Sequence, residues 1–532
     1  MRLSKKGKRW VTASGVVLLV LILGASFALD SFEPTLRAKM LRTLAVRFNG
    51  EAELGSLHLS WFPRVRANGK TLLVWYRGRK DLPPLISIEE FSLETGWMGL
   101  LSSPAHINEV TLRGLAIHIP PDEKGIGKPE KLDRQKVETL KKEGHAVVFD
   151  LAQGNEAAFP FVIETVHADN AVLRILPKKT GSDPLIFELY KLTLHSVGFD
   201  HPIEYDAKLK NAKPPGLIDA KGGFGPWQKI NPANTPLFGV YKFQNADLSV
   251  FKGISGRLSS VGQFKGVLQS IVVNGTTDTP DFKVRLGNQP VDLKTEFHAV
   301  VDGTNGDTLL QPVTARFGKT TVICNGAVSK IGGRKGKTVL LDVQVDDGRI
   351  EDLMKFAVPA KPPLTGTIQF TAKLELPPGD QDVMEKLRLN GIFNVRSAEF
   401  TTPAVQEKVE KLSLRSRGRH EDSTNERIVS NMQGHFVLQD ATMSLSGLTF
   451  AVPGAQVRLN GKYWLAGKNF DFRGSLRMEA KLSETQKGIK SILLKVVDPF
   501  FKKGKGGAVL PVKITGTLKE PSVGLNLFEK KN

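Results

Sequence analysis

Apolar and polar residues alternate over most of this chain. Val291, Leu293, Thr295, Phe297, Ala299 and Val301 share one phase, against Asp292, Lys294, Glu296 and His298 in the other. Val339, Leu341, Val343 and Val345 alternate with Leu340, Asp342, Gln344 and Asp346. Ile368, Phe370, Ala372, Leu374 and Leu376 alternate with Gln369, Thr371, Lys373 and Glu375. Side chains project to opposite faces with period two, so the pattern predicts antiparallel strands with one apolar face and one wet face.

The stretch from Val457 to Met478 carries the pattern twice. Val457, Leu459, Gly461, Tyr463 and Leu465 share a phase, which resumes at Phe470, Phe472, Gly474, Leu476 and Met478 after Ala466-Gly467-Lys468-Asn469. Folded about that loop, the hairpin is expected to set Gly461 opposite Gly474 and Tyr463 opposite Phe472. Glycine weakens a strand interior unless a bend, a bulge or a close approach uses the missing side chain. Glycine recurs in the apolar phase at Gly326, Gly391, Gly434 and Gly516. Bends at Gly326, Gly391, Gly461, Gly474 and Gly516 would turn a flat apolar face into a trough; the alternative is the bulge and corner glycines of a closed β-sandwich.

Helical signals are fewer. Phe32, Leu36, Met40, Leu44 and Phe48 recur every fourth residue between Arg37, Lys39, Arg42 and Arg47, with Pro34 before and Asn49-Gly50 after. That predicts an amphipathic helix, lying on a bilayer or plugging the end of a sheet. Further helices are expected from Ile350 to Ala357, from Pro403 to Leu412 and, basic and amphipathic, from Ser483 to Phe501. Pro121 to Glu156 reads as a polar excursion with one helix from Asp133 to Lys142. The Pro/Gly-rich stretch from Lys213 to Pro232 marks an internal boundary.

Val11 to Leu29 contains no charged residue and follows Arg2, Lys5, Lys6, Lys8 and Arg9. A segment of that length can cross a bilayer as an uncleaved helix with the basic end cytoplasmic. The competing reading is a signal peptide cleaved after Ser26-Phe27-Ala28. Beyond it come the strand-like runs Leu54-Gly55-Ser56-Leu57-His58-Leu59-Ser60-Trp61-Phe62-Pro63, Ile86-Ser87-Ile88-Glu89-Glu90-Phe91-Ser92-Leu93 and Ile107-Asn108-Glu109-Val110-Thr111-Leu112-Arg113-Gly114. Together with the two preceding helices these resemble the N-terminal part of the AsmA family of bacterial envelope proteins. Leu268 to Phe282 and Leu510 to Pro521 are similar to AsmA-like modules, the second to the family's C-terminal region.

The net charge of +20 over 532 residues favours an anionic partner. A chain sent across the inner membrane does not meet nucleic acid, so anionic lipid headgroups or phosphorylated glycolipid become the expectation. The single Cys324 excludes an intrachain disulfide. Gly332-Gly333-Arg334-Lys335-Gly336-Lys337-Thr338 falls one residue short of a phosphate-binding loop and leads into a strand, so it reads as a hairpin loop. No His-Glu-x-x-His and no Gly-x-Ser-x-Gly occurs. No catalytic residue, metal ligand or cofactor is assigned, and the chain is read as not an enzyme.

The expected fold is mainly β: an N-terminal transmembrane helix, then an elongated, curved antiparallel β-sheet groove with a few short amphipathic helices. Residues 1–30 form the basic tail and anchor, 31–225 an N-terminal AsmA-like region, 226–350 central groove repeats, and 351–532 an AsmA-like C-terminal region. The groove is expected to be lined by Phe297, Phe370, Leu374, Phe393, Tyr463, Phe472 and Leu476. About 25 to 30 strands stacked at about 4.8 Å would reach roughly 120 to 145 Å, or half that in a sandwich. The resemblance implies transport of phospholipid or another amphipathic lipid between membranes and outer-membrane biogenesis. Its expected partners are the inner membrane and outer-membrane or envelope proteins, with the bulk of the chain periplasmic and anchored once. The alternative is a non-enzymatic periplasmic scaffold or assembly factor for outer-membrane proteins or envelope polymers.

Overall fold

The computed structural model describes residues 33–120, 161–177, 184–480 and 508–525, apart from short interruptions within those ranges. The expected span at 11–29 and the expected helices at 133–142 and 483–501 lie outside the described residues. Among the described residues no helix is long and apolar enough to cross a membrane.

Among the described residues the protein is mainly β, with 25 strands in one sheet. β1 (Gly50–Ser60), β2 (Val65–Tyr76) and β3 (Ile86–Thr95) pair antiparallel in chain order. β4 (Ala105–Arg113) and β5 (Ala116–Ile119) share the next place beside β3, and both pair in parallel with β6 (Phe161–Ile175). A parallel pair needs a crossover of a dozen or more residues, which residues 121–160 supply in length.

From β6 the sheet is an antiparallel meander. β7 (Leu185–Val197), β8 (Ile203–Asn211), β9 (Gly216–Phe224) and β10 (Pro236–Asp247) follow, so the sheet runs on through the Pro/Gly-rich stretch. β11 (Ile254–Ser255) is a two-residue strand against β13 (Ser270–Val284), and β12 (Arg257–Val267) joins β10 to β13. β14 (Val291–Val301), β15 (Thr308–Phe317), β16 (Thr320–Ser329) and β17 (Thr338–Arg349) come next. β18 (Leu364–Leu376), β19 (Arg388–Phe400), β20 (Ser430–Gln439) and β21 (Thr442–Val452) continue the order. β22 (Ala455–Trp464), β23 (Asn469–Met478), β24 (Ala508–Thr517) and β25 (Pro521–Leu525) complete it. Ser329 pairs with Thr338 across two antiparallel strands, and most of the lysine- and glycine-rich stretch between them lies outside the described residues.

Helices are few and short. Ile350–Met354 ends three residues before the expected Ala357, and Pro403–Ser416 runs past the expected Leu412, with proline in its first turn. The segment at 33–48 is helical wherever it is described. Its Met40, Leu41 and Leu44 pack on the largest buried cluster, which includes Leu54, Leu57, Ala67, Phe91, Ala168 and Leu192. Arg37 donates to the carbonyls of Leu54 and Gly55. The described residues of this amphipathic helix thus pack on the first strands of the sheet.

The sheet also contacts itself at opposite strand ends. Ile119, Ile175 and Leu268 form a buried cluster with Leu173, Phe187 and Leu237. The ends of β5 and β6 and the start of β7 lie at one border of the sheet, whereas Leu237 opens β10 and Leu268 follows β12 at the other. The residues that meet all belong to the apolar phase, so the sheet bends about its apolar face; a flat sheet could not bring them together. Register shifts recur along the ladders, as between Phe297 and Ala299, between Val345 and Gly348 and between Val395 and Ala398. Such bulges increase local twist and bend a strand.

Leu57 is 2% exposed in the cluster beneath the N-terminal helix. Leu57→Ala is expected to lower stability by about 2–5 kcal/mol through lost transfer energy and a residual cavity. Phe472, on the same face but only half-buried, is expected to cost less when truncated; urea unfolding followed by far-UV circular dichroism compares the two.

Candidate functional site: the apolar face of the sheet

Following the cross-strand pairs from one strand to the next traces rows that run across the sheet. One begins Leu57, Gly69, Phe91, Leu112, Ala168 and Leu192 on β1 to β7, then takes Ala207, Ala220, Tyr241, Gly262, Gly275 and Phe297. It continues through Val313, Cys324, Val343, Ala372, Gly391 and Phe436 to Leu445, Gly461, Phe472, Ile514 and Val523. The row visits every strand except β5 and β11 and contains no charged residue.

A second row lies two residues along each strand, roughly 6.6 Å away. It runs from Leu59, Ala67, Leu93 and Val110 through Tyr205, Gly222, Gly239 and Phe264. Leu310, Gly326, Leu341, Leu374 and Leu389 carry it to Met443, Tyr463, Phe470 and Gly516. Thus the predicted residues share one face: Phe297, Phe472, Gly391 and Gly461 in the first row, Leu374, Tyr463, Gly326 and Gly516 in the second. Phe370, Phe393 and Gly474 stand in the row beyond the first, and Leu476 one row farther.

The predicted hairpin register is off by two residues. Leu465 is in the turn, not the strand, so Tyr463 pairs with Phe470, Gly461 with Phe472, and Leu459 with Gly474. The phase is kept, but the two glycines do not oppose each other. Instead Gly461 faces a ring, and the same pairing recurs at Gly69 with Phe91, Gly239 with Phe264, Gly262 with Tyr241, Gly275 with Phe297 and Gly434 with Phe393. A β-carbon added to Gly262 would stand 2.7 Å from Tyr241 Cε1, and one on Gly275 2.8 Å from Phe297 Cζ. Each ring lies over its cross-strand glycine, which needs the hydrogen there. Sequence reasoning found these glycines by phase and missed their partners, because the partner is set by register.

Burial changes along the rows. Leu57, Phe91, Ala168, Leu192, Ala207 and Ala220 are buried, whereas Tyr241, Gly262, Gly275, Phe297, Val313, Cys324 and Val343 are half-buried, as are Phe436, Leu445, Gly461, Phe472 and Ile514. The first row is mostly buried over β1 to β9 and mostly half-buried from β10 onward, where Ala372 and Gly391 are again buried; in the second row Ala299, Leu438 and Phe470 are buried as well. Polar atoms on this face are few. Tyr241 Oη lies 3.1 Å from Ser260 Oγ, and Thr277 Oγ1 lies 2.6 Å from Thr295 Oγ1. Burial pushes the Tyr205 hydroxyl up to about 12 and raises those of Tyr241 and Tyr463 and the Cys324 thiol.

Two depressions of about 510 and 530 Å³ are lined by residues of both phases, Gln369, Phe370, Thr371, Ile392 and Phe393 in one and Asp342, Lys373, Leu374, Arg388 and Leu389 in the other. Among the described residues no three His, Cys, Asp or Glu side chains are placed to hold a metal ion. Comparison of the chain with protein-family models, with curated proteins and with solved structures finds no match.

Tyr205 gives a pH test. Its folded value lies above the ordinary 10, so the folded state keeps the proton longer than the unfolded chain, and stability should fall as pH rises from about 10 to about 12. Thermal melts across that window should show the fall, and Tyr205→Phe should reduce it.

Proposed function

We propose that this chain is an AsmA-like envelope protein that carries lipid along the apolar face of its sheet. On this reading the segment from Val11 to Leu29 anchors it in the inner membrane and the sheet stands in the periplasm as an elongated, open groove. The observation that carries the reading is the pair of unbroken apolar rows, largely half-buried from β10 to β24. Some of these residues also pack on local core clusters, as Cys324 and Val343 do beside Val322 and Val345, but an apolar strip left partly open over so many strands suits a binding surface.

The magnitudes fit an acyl chain. At about 0.8 kcal/mol per buried CH2, half-covering a chain of about fifteen methylenes is worth about 6 kcal/mol. Two such chains would hold a lipid firmly without fixing it at one place, because neighbouring positions along the rows are chemically alike. The headgroup stays at the open side, and the excess of lysine and arginine suits an anionic one. No residue performs covalent chemistry in this scheme.

Cys324 is the single cysteine of the sequence and stands in the first row. An environment-sensitive fluorophore attached there should report an apolar surrounding that becomes more polar when lipid is stripped. Full-length protein purified in detergent should carry acyl lipid, identified by mass spectrometry of the organic extract, and Phe297→Asp with Phe472→Asp should cut the amount at least severalfold. An extract no richer in lipid than that of an unrelated single-span protein would refute the proposal.

A further inference from the structure

The loop between β18 and β19 reaches across the mouth of the proposed groove. β18 ends and β19 begins at the border shared with the end of β12 and the start of β13, yet residues 380–385 touch the opposite border, beside β11 and the end of β13. Val383 N donates to the Lys252 carbonyl at 2.8 Å. The Asp382 carboxylate is 6% exposed and lies 2.5 Å from Arg285 Nη2. It also accepts from Met384 N at 2.8 Å, capping the helical turn Val383–Lys386. Gly253, with φ +97, leaves room for that carboxylate, since a β-carbon there would collide with it. Asp380 lies 3.9 Å from Lys213 and Glu385 3.9 Å from Arg285.

Five ladder steps separate β13 from β18, and the same number separates β6 from β12, whose strand ends meet in the buried Ile119–Ile175–Leu268 cluster. The two closures differ in chemistry. The first is apolar and belongs to the filled part of the sheet. The second is made by charges and one main-chain hydrogen bond, over the half-covered rows. Exposed pairs such as Lys213–Asp380 contribute little, so the tie depends on Asp382, Arg285 and the Val383–Lys252 bond.

We propose that this loop is a latch that divides the groove, and that lipid passes from one side to the other only when the Asp382–Arg285 pair opens. The inference rests on the lipid-carrier reading above. A lipid sliding with its acyl chains on the rows and its headgroup in the mouth meets the loop between the Tyr241 side and the Tyr463 side. Asp382→Asn keeps the cap but removes the charge, and Arg285→Ala removes the partner; either should speed passage roughly tenfold, the factor that corresponds to losing one ion pair of about 1.4 kcal/mol.

The test uses full-length protein in bacterial cells fed radiolabelled palmitate. A photocrosslinking benzoylphenylalanine replaces Tyr241 or Tyr463, in a Cys324→Ser background with Lys252→Cys and Val383→Cys to lock the loop by a disulfide. The reduced protein should crosslink acyl lipid at both sites, and the oxidised protein should lose the label at one of them and recover it on reduction. Equal labelling of both sites in the locked protein would overturn the latch and leave the groove intact. An absence of label at both sites in the reduced protein would overturn the groove reading and the latch with it.

Discussion

Everything in this fold depends on keeping one apolar face in register across strands that each know only their neighbours. A slip of one residue sends a strand's entire apolar set to the wet side. Here the rows stay unbroken through many bulges, because each bulge changes the pairing on one strand and the next ladder takes up the displaced phase. Between β14 and β15 the step moves from Phe297–Val313 to Ala299–Leu310, and β16 then meets both with Cys324 and Gly326. The bulges add twist while the rows keep their chemistry. The bending that follows has a solvent cause: a face this apolar is drawn toward itself, and where opposite ends meet, at Ile119, Ile175 and Leu268, they exclude water.

Glycine and aromatic residues share the work along those rows. A ring standing upright on a strand would obstruct the face, whereas a ring laid over a cross-strand glycine keeps it low and continuous. Tyr241 over Gly262 and Phe297 over Gly275 stand side by side, which gives β10 to β14 a floor made of ring faces. The N-terminal strands solve the same problem differently. There Ala168, Ala207 and Ala220 let Leu57, Phe91 and Leu192 interdigitate under the helix, and the face becomes a core. One pattern of residues thus gives a filled core at one end and a largely half-buried face at the other.

Strand phase was legible in the sequence because it is local: alternation over six or seven residues fixes which side chains share a face, and the predicted lining residues do share one. Register was not. Leu465 carries the apolar phase into the turn, and its burial at 5% comes from packing at the hairpin end, so composition gave no sign that the strand stops at Trp464. The helix expected from Pro403 to Leu412 runs on to Ser416, and tertiary contacts of Ser413 and Ser416 accompany the extra turn. Both are buried, and Ser413 Oγ donates to the Pro453 carbonyl at 2.7 Å. The parallel pairing of β4 with β6 and the approach of residues 380–385 to 252 and 285 join positions tens to more than a hundred residues apart, which no local pattern announces.

The change in burial along the rows limits how the proposed carrier can work. From β1 to β25 the rows extend roughly 105 Å before twist shortens them, and the part from β10 onward, about 65 Å at about 4.8 Å per strand, is the part that is largely half-buried. The filled segment lies on the N-terminal side, next to the expected anchor. Lipid therefore cannot enter by sliding the whole length of the sheet from the anchored end, because Leu192, Ala207 and Ala220 already occupy the face there. Entry must be lateral, over a border beyond β9, with the headgroup passing through the open side as the acyl chains turn onto the rows. A border crossed in that way has to be held by contacts that water can replace, and the charged tie of Asp382 with Arg285 is of that kind, whereas the apolar cluster around Leu268 is not.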